Sequence, residues 1–167
     1  FKPWFFSKDL PIQGTMLYFD LDVIVFRNID KLFEYKPKQF CIIRDFNRSI
    51  RPGFDRINSS VFRLETGMFD PIWKQFENDP KLHMQKNRGD QDWMYKNIRN
   101  FSYWPDEWIQ SYKWEMRDRR DLAIHKGKRN FIVDSPPKIL DDCSVAVFHG
   151  EPNPLDANDT WVRNNWG

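Results

Sequence analysis

Residues 18–26 have the sequence YFDLDVIVF, in which two aspartates interrupt an apolar run rich in β-branched residues. With the residues before it, this run predicts one β-strand over residues 15–26. Side chains two apart on a strand share a face, so Asp20 and Asp22 would present adjacent carboxylates. Two buried carboxylates are costly, and a divalent cation would compensate their charge. The simpler alternative is that the strand ends at Asp20 and both carboxylates are solvated or cap turns.

Strand and helix patterns interleave along the rest of the chain, which predicts an α/β fold. Further strands are expected over 39–46, 57–65, 130–137 and 144–150, and helices over 28–35, 70–79 and 89–100. Asp70 is expected to cap the second of these helices, with Pro71 at its first position. We find no internal repeat, low-complexity tract or linker.

Length and composition narrow the class of protein. A chain of 167 residues fits one domain with its own core, and a net charge of +2 does not favour nucleic acid as a partner. The sequence contains no apolar run approaching the roughly 20 residues of a membrane span. Cys41 and Cys143 lie among apolar residues, which favours free thiols in a reducing compartment and therefore a cytoplasmic protein. The 17% aromatic fraction indicates either a bulky core or sites for ring-shaped ligands.

Three further segments carry residues that suit a chemical site. His149 ends the strand-like SVAVFHG and becomes a metal ligand only if the fold brings it to Asp20 and Asp22. The segment GDQDWM places Asp90, Gln91 and Asp92 at a helix start, where they either cap the helix or serve acid–base and hydroxyl-binding roles. INSSVF places Asn58 and Ser59 before a strand, either as a turn or as hydrogen-bonding partners of a sugar or phosphate.

Four segments in this order, YFDLDVIVF, INSSVFRL, GDQDWM and VFHGEPNP, resemble the GT-A glycosyltransferases, in particular those similar to glycogenin and to bacterial lipopolysaccharide galactosyltransferases. The stretch WPDEWIQSYKW is also similar to bacterial members of this group. The resemblance spans nearly the whole chain. It implies a mixed sheet flanked by helices, in a single GT-A-like domain over residues 1–167.

The resemblance also implies roles for individual residues. Asp20, Asp22 and His149 would hold Mn²⁺ or Mg²⁺ on the diphosphate of a nucleotide-sugar donor, such as a UDP-sugar. The donor or acceptor, a glycan or other hydroxyl compound, would contact Asn58, Ser59 and Gly150. The reacting sugar would meet Asp90 and Gln91, and we group Asp92 with these catalytic candidates.

The chain departs from the family pattern at two places. Members often carry a lysine a few residues after the histidine, where HGEPNP has Asn153, and Glu151 adds a negative charge close by. Only nineteen residues precede Asp20, and the chain begins at Phe1 rather than methionine. We therefore expect a fragment that lacks the N-terminal nucleotide-binding strands and is catalytically weak or inactive.

Two other functional classes stay open at this stage. A haloacid-dehalogenase-type phosphatase also places D-x-D after a strand, with Asp20 as nucleophile and the ILDD segment at residues 139–142 as a late acidic motif. That alternative assigns no role to INSSVF or FHG. A non-catalytic carbohydrate-binding domain would account for the tryptophans and leave the paired carboxylates unexplained.

Overall fold

A computed structural model describes residues 2–117, 131–133 and 136–166. Its architecture is mixed α/β, as the alternation of patterns predicts. The chain divides into two compact units. The first comprises Phe1–Tyr18, Leu32–Asp45 and Asp55–Trp104, and the second comprises Phe19–Lys31, Phe46–Phe54 and Pro105–Gly167. The expectation of a single domain over residues 1–167 stays a prediction.

The first unit is built on a four-stranded sheet within the described residues. Its order is β1-β4-β3-β5, with bounds Thr15–Phe19, Ile57–Glu65, Cys41–Arg44 and Ser102–Tyr103. Strand β3 pairs antiparallel with β4 and parallel with β5. All but the last residue of β4 are buried, and the hydrophobic core of the unit packs around Phe6, Phe62, Phe76 and Trp93.

Short helices accompany this sheet. A 3-10 helix covers Lys2–Phe6, and the α-helices are α1 (Asp30–Glu34), α2 (Asp70–Asn78), α3 (Pro80–Lys86) and α4 (Asp90–Asn97). Pro71 lies in the first turn of α2, at its second residue rather than at the predicted first, and Asp70 does not cap this helix. The Asp70 carboxylate instead accepts the backbone N–H of Lys8 at 3.1 Å and pairs with Lys74 at 3.0 Å.

The second unit contains a three-stranded sheet within the described residues, in the order β2-β8-β6. These strands are Val23–Val25, Val145–Val147 and Ile109–Ser111. Strand β2 runs antiparallel to β8, with Val23 opposite Val147, and β6 runs parallel to β8. The other elements are a parallel pair of β7 (Phe131–Val133) and β9 (Ala157–Asp159), α5 (Thr160–Asn165), 3-10 turns at Phe46–Ser49 and Asp106–Trp108, and a π-helical turn at Tyr112–Met116.

The predicted continuous strand over residues 15–26 is wrong. Strand β1 ends at Phe19 and β2 begins at Val23, and Asp20–Asp22 lie outside both strands, with Leu21 94% exposed. Strand β1 belongs to the four-stranded sheet and β2 to the three-stranded sheet, so the two runs are separate strands. The argument that Asp20 and Asp22 share one face of a strand therefore fails, and the alternative of a strand ending just before them is confirmed.

The expectation of free thiols has a direct structural counterpart. Cys41 and Cys143 are both free thiols and both buried, as predicted. Among the described residues, no helix combines the length and apolar character that crossing a membrane requires.

Candidate functional site

The turn with the two aspartates and the segment with His149 meet at one end of the β2–β8 pair. The backbone N–H of Phe148 donates to the carbonyl oxygen of Asp22 at 2.9 Å, which continues the antiparallel register by one residue beyond Val23 and Val147. His149 and Gly150 follow Phe148 directly. The fold thus brings the D-x-D turn and His149 together, although Asp22 and Phe148 are 126 positions apart in the sequence.

The imidazole of His149 is held on several sides. Its ring stacks on Phe46 at a centroid distance of 5.0 Å and an interplanar angle of 13°, and it meets Trp114 edge-on at 4.5 Å and 77°. Its Nε2 atom lies 2.6 Å from the hydroxyl of the fully buried Ser111. These contacts determine the orientation of the ring at this corner.

Ser111 also begins the π-helical turn. Its hydroxyl accepts the backbone N–H of Trp114 at 3.2 Å, and its own N–H donates to the Glu115 carboxylate at 2.7 Å. Burial raises the pKa of Glu115, and Arg48, whose Nη2 lies 3.1 Å from the carboxylate, opposes that increase. The turn is therefore fixed by a charged pair and connected to His149 through one hydroxyl.

Lys113 projects from this turn toward the D-x-D corner, a contact that sequence reasoning missed. Its Nζ donates to the carbonyl oxygen of Glu151 at 3.0 Å. Burial lowers the pKa of Lys113, while the negative charges of Asp22 and Glu151 act to raise it. Gly150 has a positive φ of +72°, and a Cβ at that position would approach Lys113 Nζ to 3.3 Å. The glycine thus leaves room for the ammonium.

The contacts at this corner do not themselves show whether it binds a metal ion. The described residues contain no group of three or more His, Cys, Asp or Glu side chains that could hold a metal ion. The donor types nevertheless suit Mn²⁺ or Mg²⁺, since two carboxylates and one imidazole are ligands that these ions accept. The backbone register already brings the D-x-D turn and the His149 segment together. To bind an ion, the side chains of Asp20, Asp22 and His149 would have to rotate toward one another, and a bound molecule would supply further oxygen ligands.

In the first unit, the Gln91 side chain at the start of α4 joins two polar residues, Ser59 and Asp45. Its Oε1 accepts the backbone N–H of Ser59 at 3.2 Å, and its Nε2 donates to Asp45 Oδ2 at 3.1 Å. The Ser59 hydroxyl donates to Asp90 Oδ2 at 3.2 Å. The predicted residues Ser59, Asp90 and Gln91 therefore lie together, and Asp45 joins them from the end of β3.

Lys2 completes this cluster and was not predicted. Its Nζ lies 3.0 Å from Asp90 Oδ2 and 3.1 Å from the Ser59 hydroxyl. Lys2 and Asp90 also line a cavity of about 530 Å³ whose walls include the rings of Phe5, Tyr18 and Trp93. No local pattern in FKPWFF predicts this contact, because Lys2 and Asp90 are 88 positions apart in the sequence.

The two remaining predicted residues of the first unit make different contacts. Asn58 is 8% exposed, and its side-chain oxygen accepts the backbone N–H of Ser60 at 2.9 Å. Asp92 pairs with Arg56 at 3.6 Å. Asp90 and Asp92 both lie in the first turn of α4, where the helix dipole favours negative charge.

Comparison of the fold with solved structures gives clear matches. The apo form of GlyE from Streptococcus pneumoniae TIGR4 matches with a TM-score of 0.58 at 15% identity, over 92% of this chain and 38% of that one. A second structure of GlyE matches with a TM-score of 0.56 at 17% identity, over 90% and 38% of the two chains. The fold is shared with glycosyltransferases.

The galactosyltransferase LgtC, solved with donor and acceptor sugar analogues, extends this result. It matches with a TM-score of 0.55 at 12% identity, over 87% of this chain and 56% of that one. The chain thus spans about two fifths to a little over half of the glycosyltransferase chains that it matches. The expected GT-A-like mixed architecture is confirmed. No family model and no curated protein matches the sequence.

Proposed function

We propose that the protein is a metal-dependent glycosyltransferase that moves a sugar from a nucleotide-sugar, such as a UDP-sugar, to a hydroxyl acceptor. The glycosyltransferase fold supports this proposal. The observation that carries it is the hydrogen bond from Phe148 N–H to Asp22 O, because it brings the D-x-D turn and His149 to one strand end. A fold alone does not assign an activity, so the proposal depends on this local geometry.

The second unit is proposed to bind the donor diphosphate. Asp20, Asp22 and His149 would hold Mn²⁺ or Mg²⁺, which when bound neutralises charge on the departing nucleoside diphosphate. Ser111 and the rings of Phe46 and Trp114 keep the imidazole of His149 oriented. Gly150 exposes backbone without a side chain and so permits close approach of a ligand.

Asp90 and Gln91 are the residues that we propose for contact with the reacting sugar. Asp90 and Gln91 are adjacent at the start of α4, and each contacts Ser59. In a transfer through an oxocarbenium-like centre, the carboxylate or the amide oxygen of this pair would stabilise the developing positive charge. Asn58 and Ser59 would orient hydroxyl groups, and Asp92 is retained among the proposed catalytic residues.

Binding and turnover of defined ligands test this proposal. We expect calorimetry to show UDP binding in the presence of MnCl₂ that is lost with excess EDTA, and we expect at most slow hydrolysis of UDP-sugars or transfer to added glycans. Release of phosphate from p-nitrophenyl phosphate, lost on substitution of Asp20, would instead identify the phosphatase alternative. Metal-independent glycan binding without nucleotide binding would identify a carbohydrate-binding domain. Absence of metal-dependent binding of UDP, GDP and ADP would contradict the transferase proposal.

A further inference from the structure

Lys113 lies where a cation would face an anionic ligand at the D-x-D corner. The π-helical turn directs its Nζ to the backbone of Gly150 and Glu151, with a hydrogen bond of 3.0 Å to the Glu151 carbonyl oxygen. Gly150 has no side chain there, and a Cβ would lie only 3.3 Å from that nitrogen. The position of this ammonium therefore depends on the glycine that follows His149.

The charges around Lys113 have the wrong sign for an anion unless cations offset them. Asp22 and Glu151 both act electrostatically on Lys113, and Asp20 is two residues from Asp22. A nucleoside diphosphate entering this corner would meet these carboxylates. One divalent ion compensates part of the repulsion, and a fixed ammonium compensates more, since charge-assisted hydrogen bonds to phosphate are strong.

The segment after His149 supplies no cation of its own. In HGEPNP the side chain of Asn153 is neutral and that of Glu151 is negative. An ammonium group has three N–H donors, and the Glu151 carbonyl accepts one of them, so the same group can also donate to phosphate oxygens. Lys113 thus provides from the π-helical turn a positive charge that the local sequence lacks.

We propose that Lys113 is a donor-binding residue that contacts the diphosphate of the nucleotide-sugar beside Gly150. This inference rests on the proposed transferase function and assigns a further residue to it. If Lys113 contacts the diphosphate, the chain can bind the donor although its HGEPNP segment is acidic and contains no lysine.

Calorimetry of UDP with MnCl₂ tests the proposal on four forms of the chain. These are the unmodified protein, Lys113→Met, Lys113→Arg, and Lys81→Met as a control at an exposed lysine of α3. We expect Lys113→Met to weaken UDP binding by about 10- to 100-fold, the effect of losing one charged hydrogen bond. Lys113→Arg retains the charge and should stay within about threefold of the unmodified protein, as should Lys81→Met. Lys113→Gln is measured alongside, so that the result does not depend on one variant folding.

Mn²⁺ binding without nucleotide separates a direct contact from a structural role. Removing a positive charge beside Asp22 should leave Mn²⁺ affinity unchanged or increase it, while UDP affinity falls. Parallel loss of Mn²⁺ and UDP binding would show that Lys113 only supports the corner and would overturn the inference. UDP affinity in Lys113→Met within about threefold of the unmodified protein would overturn it and leave the transferase proposal intact. Failure of the unmodified protein to bind UDP, GDP and ADP would overturn both.

Discussion

The backbone N–H of Phe148 donates a hydrogen bond of 2.9 Å to the carbonyl oxygen of Asp22. This contact joins the turn after β1 to the end of β8 through main-chain atoms alone. The carboxylate of Asp22 takes no part in this hydrogen bond, so the main-chain link between the two segments does not itself depend on that side chain. The geometry therefore permits a test of the carboxylate separate from a test of the fold.

Asp22→Ala should weaken Mn²⁺-dependent UDP binding by about 30-fold or more, because one charged partner of the bound ion is removed. The free energy of unfolding should fall by no more than about 1–2 kcal/mol, because the main-chain bond to Phe148 is kept. Calorimetry and urea denaturation measure the two effects. Asp141→Ala, at an exposed carboxylate of the ILDD segment, is the matched control and should change neither. Unchanged UDP binding in Asp22→Ala would contradict the metal assignment of this turn.

Gln91→Leu should destabilise the chain by about 1–3 kcal/mol, because it removes the bonds to Ser59 N–H and Asp45. Gln91→Glu keeps an acceptor for Ser59 but places a second carboxyl beside Asp45. Repulsion raises the pKa of the introduced carboxyl in the folded state, so the loss of stability in this variant should grow as the pH rises. Urea denaturation between pH 4 and pH 8 measures this trend. A pH-independent difference between the two variants would refute the Gln91–Asp45 contact.

Gly150→Ala should cost about 1–2 kcal/mol of stability, because alanine is strained at a φ of +72°. It should also weaken Mn²⁺-dependent UDP binding, since the new Cβ approaches Lys113 Nζ. Gly53→Ala is the control. It shares the positive φ, at +77°, but its Cβ would meet nothing within 4 Å. We expect both variants to lose the same amount of stability, but only Gly150→Ala to bind UDP more weakly. Weaker UDP binding in both variants would argue against a local role for Gly150.

Asp70 should make stability depend on pH in the acid range. The hydrogen bond from Lys8 N–H, followed by that from Lys74, lowers the pKa of Asp70 below its ordinary value of 3.8. A carboxyl with a lowered folded-state pKa stabilises the fold above its unfolded pKa, and this contribution disappears as the pH falls through the folded value. Asp70→Asn should therefore reduce the melting temperature at pH 7, with a difference that shrinks below pH 3.8. A difference that is constant with pH would show that the carboxylate charge is not involved. Asp141→Asn, at an exposed carboxylate, is the control.

Arg63→Met should be among the most destabilising substitutions in the first unit. The guanidinium is 1% exposed and donates to the carbonyl oxygens of Leu32, Phe33, Lys36 and Gln39. Loss of these bonds should cost about 2–4 kcal/mol in urea denaturation. Arg56→Met is the control, because its side chain is 53% exposed and a surface pair contributes about 1 kcal/mol or less. Similar losses in both variants would contradict the anchoring role of Arg63.

Elements whose own residues carry a clear period could be predicted from the sequence. The strand INSSVFRLE was expected over 57–65 and occupies those residues, and α4 begins in the predicted GDQDWM segment. Helix α3 was missed, since only a Pro–Lys start and a weak pattern mark it. Asp70 was misassigned because an aspartate at a helix start suits two roles. It can cap the helix's own backbone N–H groups, or it can accept a hydrogen bond from a distant part of the chain, as it does here from Lys8.

The candidate site could be predicted only in part. Residues of the recognised segments were found by type and order, and Ser59, Asp90 and Gln91 do lie together. Lys2, Asp45 and Lys113 were missed because their partners lie far away in the sequence. The assignments of metal, donor and acceptor remain predictions for the experiments above.

By itself, the sequence determined the alternation of strands and helices, the two buried thiols and the order of the four segments. These follow from local propensity, periodicity and residue type. Tertiary structure alone decided that the strand is interrupted at Asp20–Asp22, since β1 and β2 pair with strands of different sheets. It also decided that Lys113 reaches Gly150 and that Arg63 anchors a distant loop. Pairing between remote segments depends on the whole chain's packing, which no short window of residues contains.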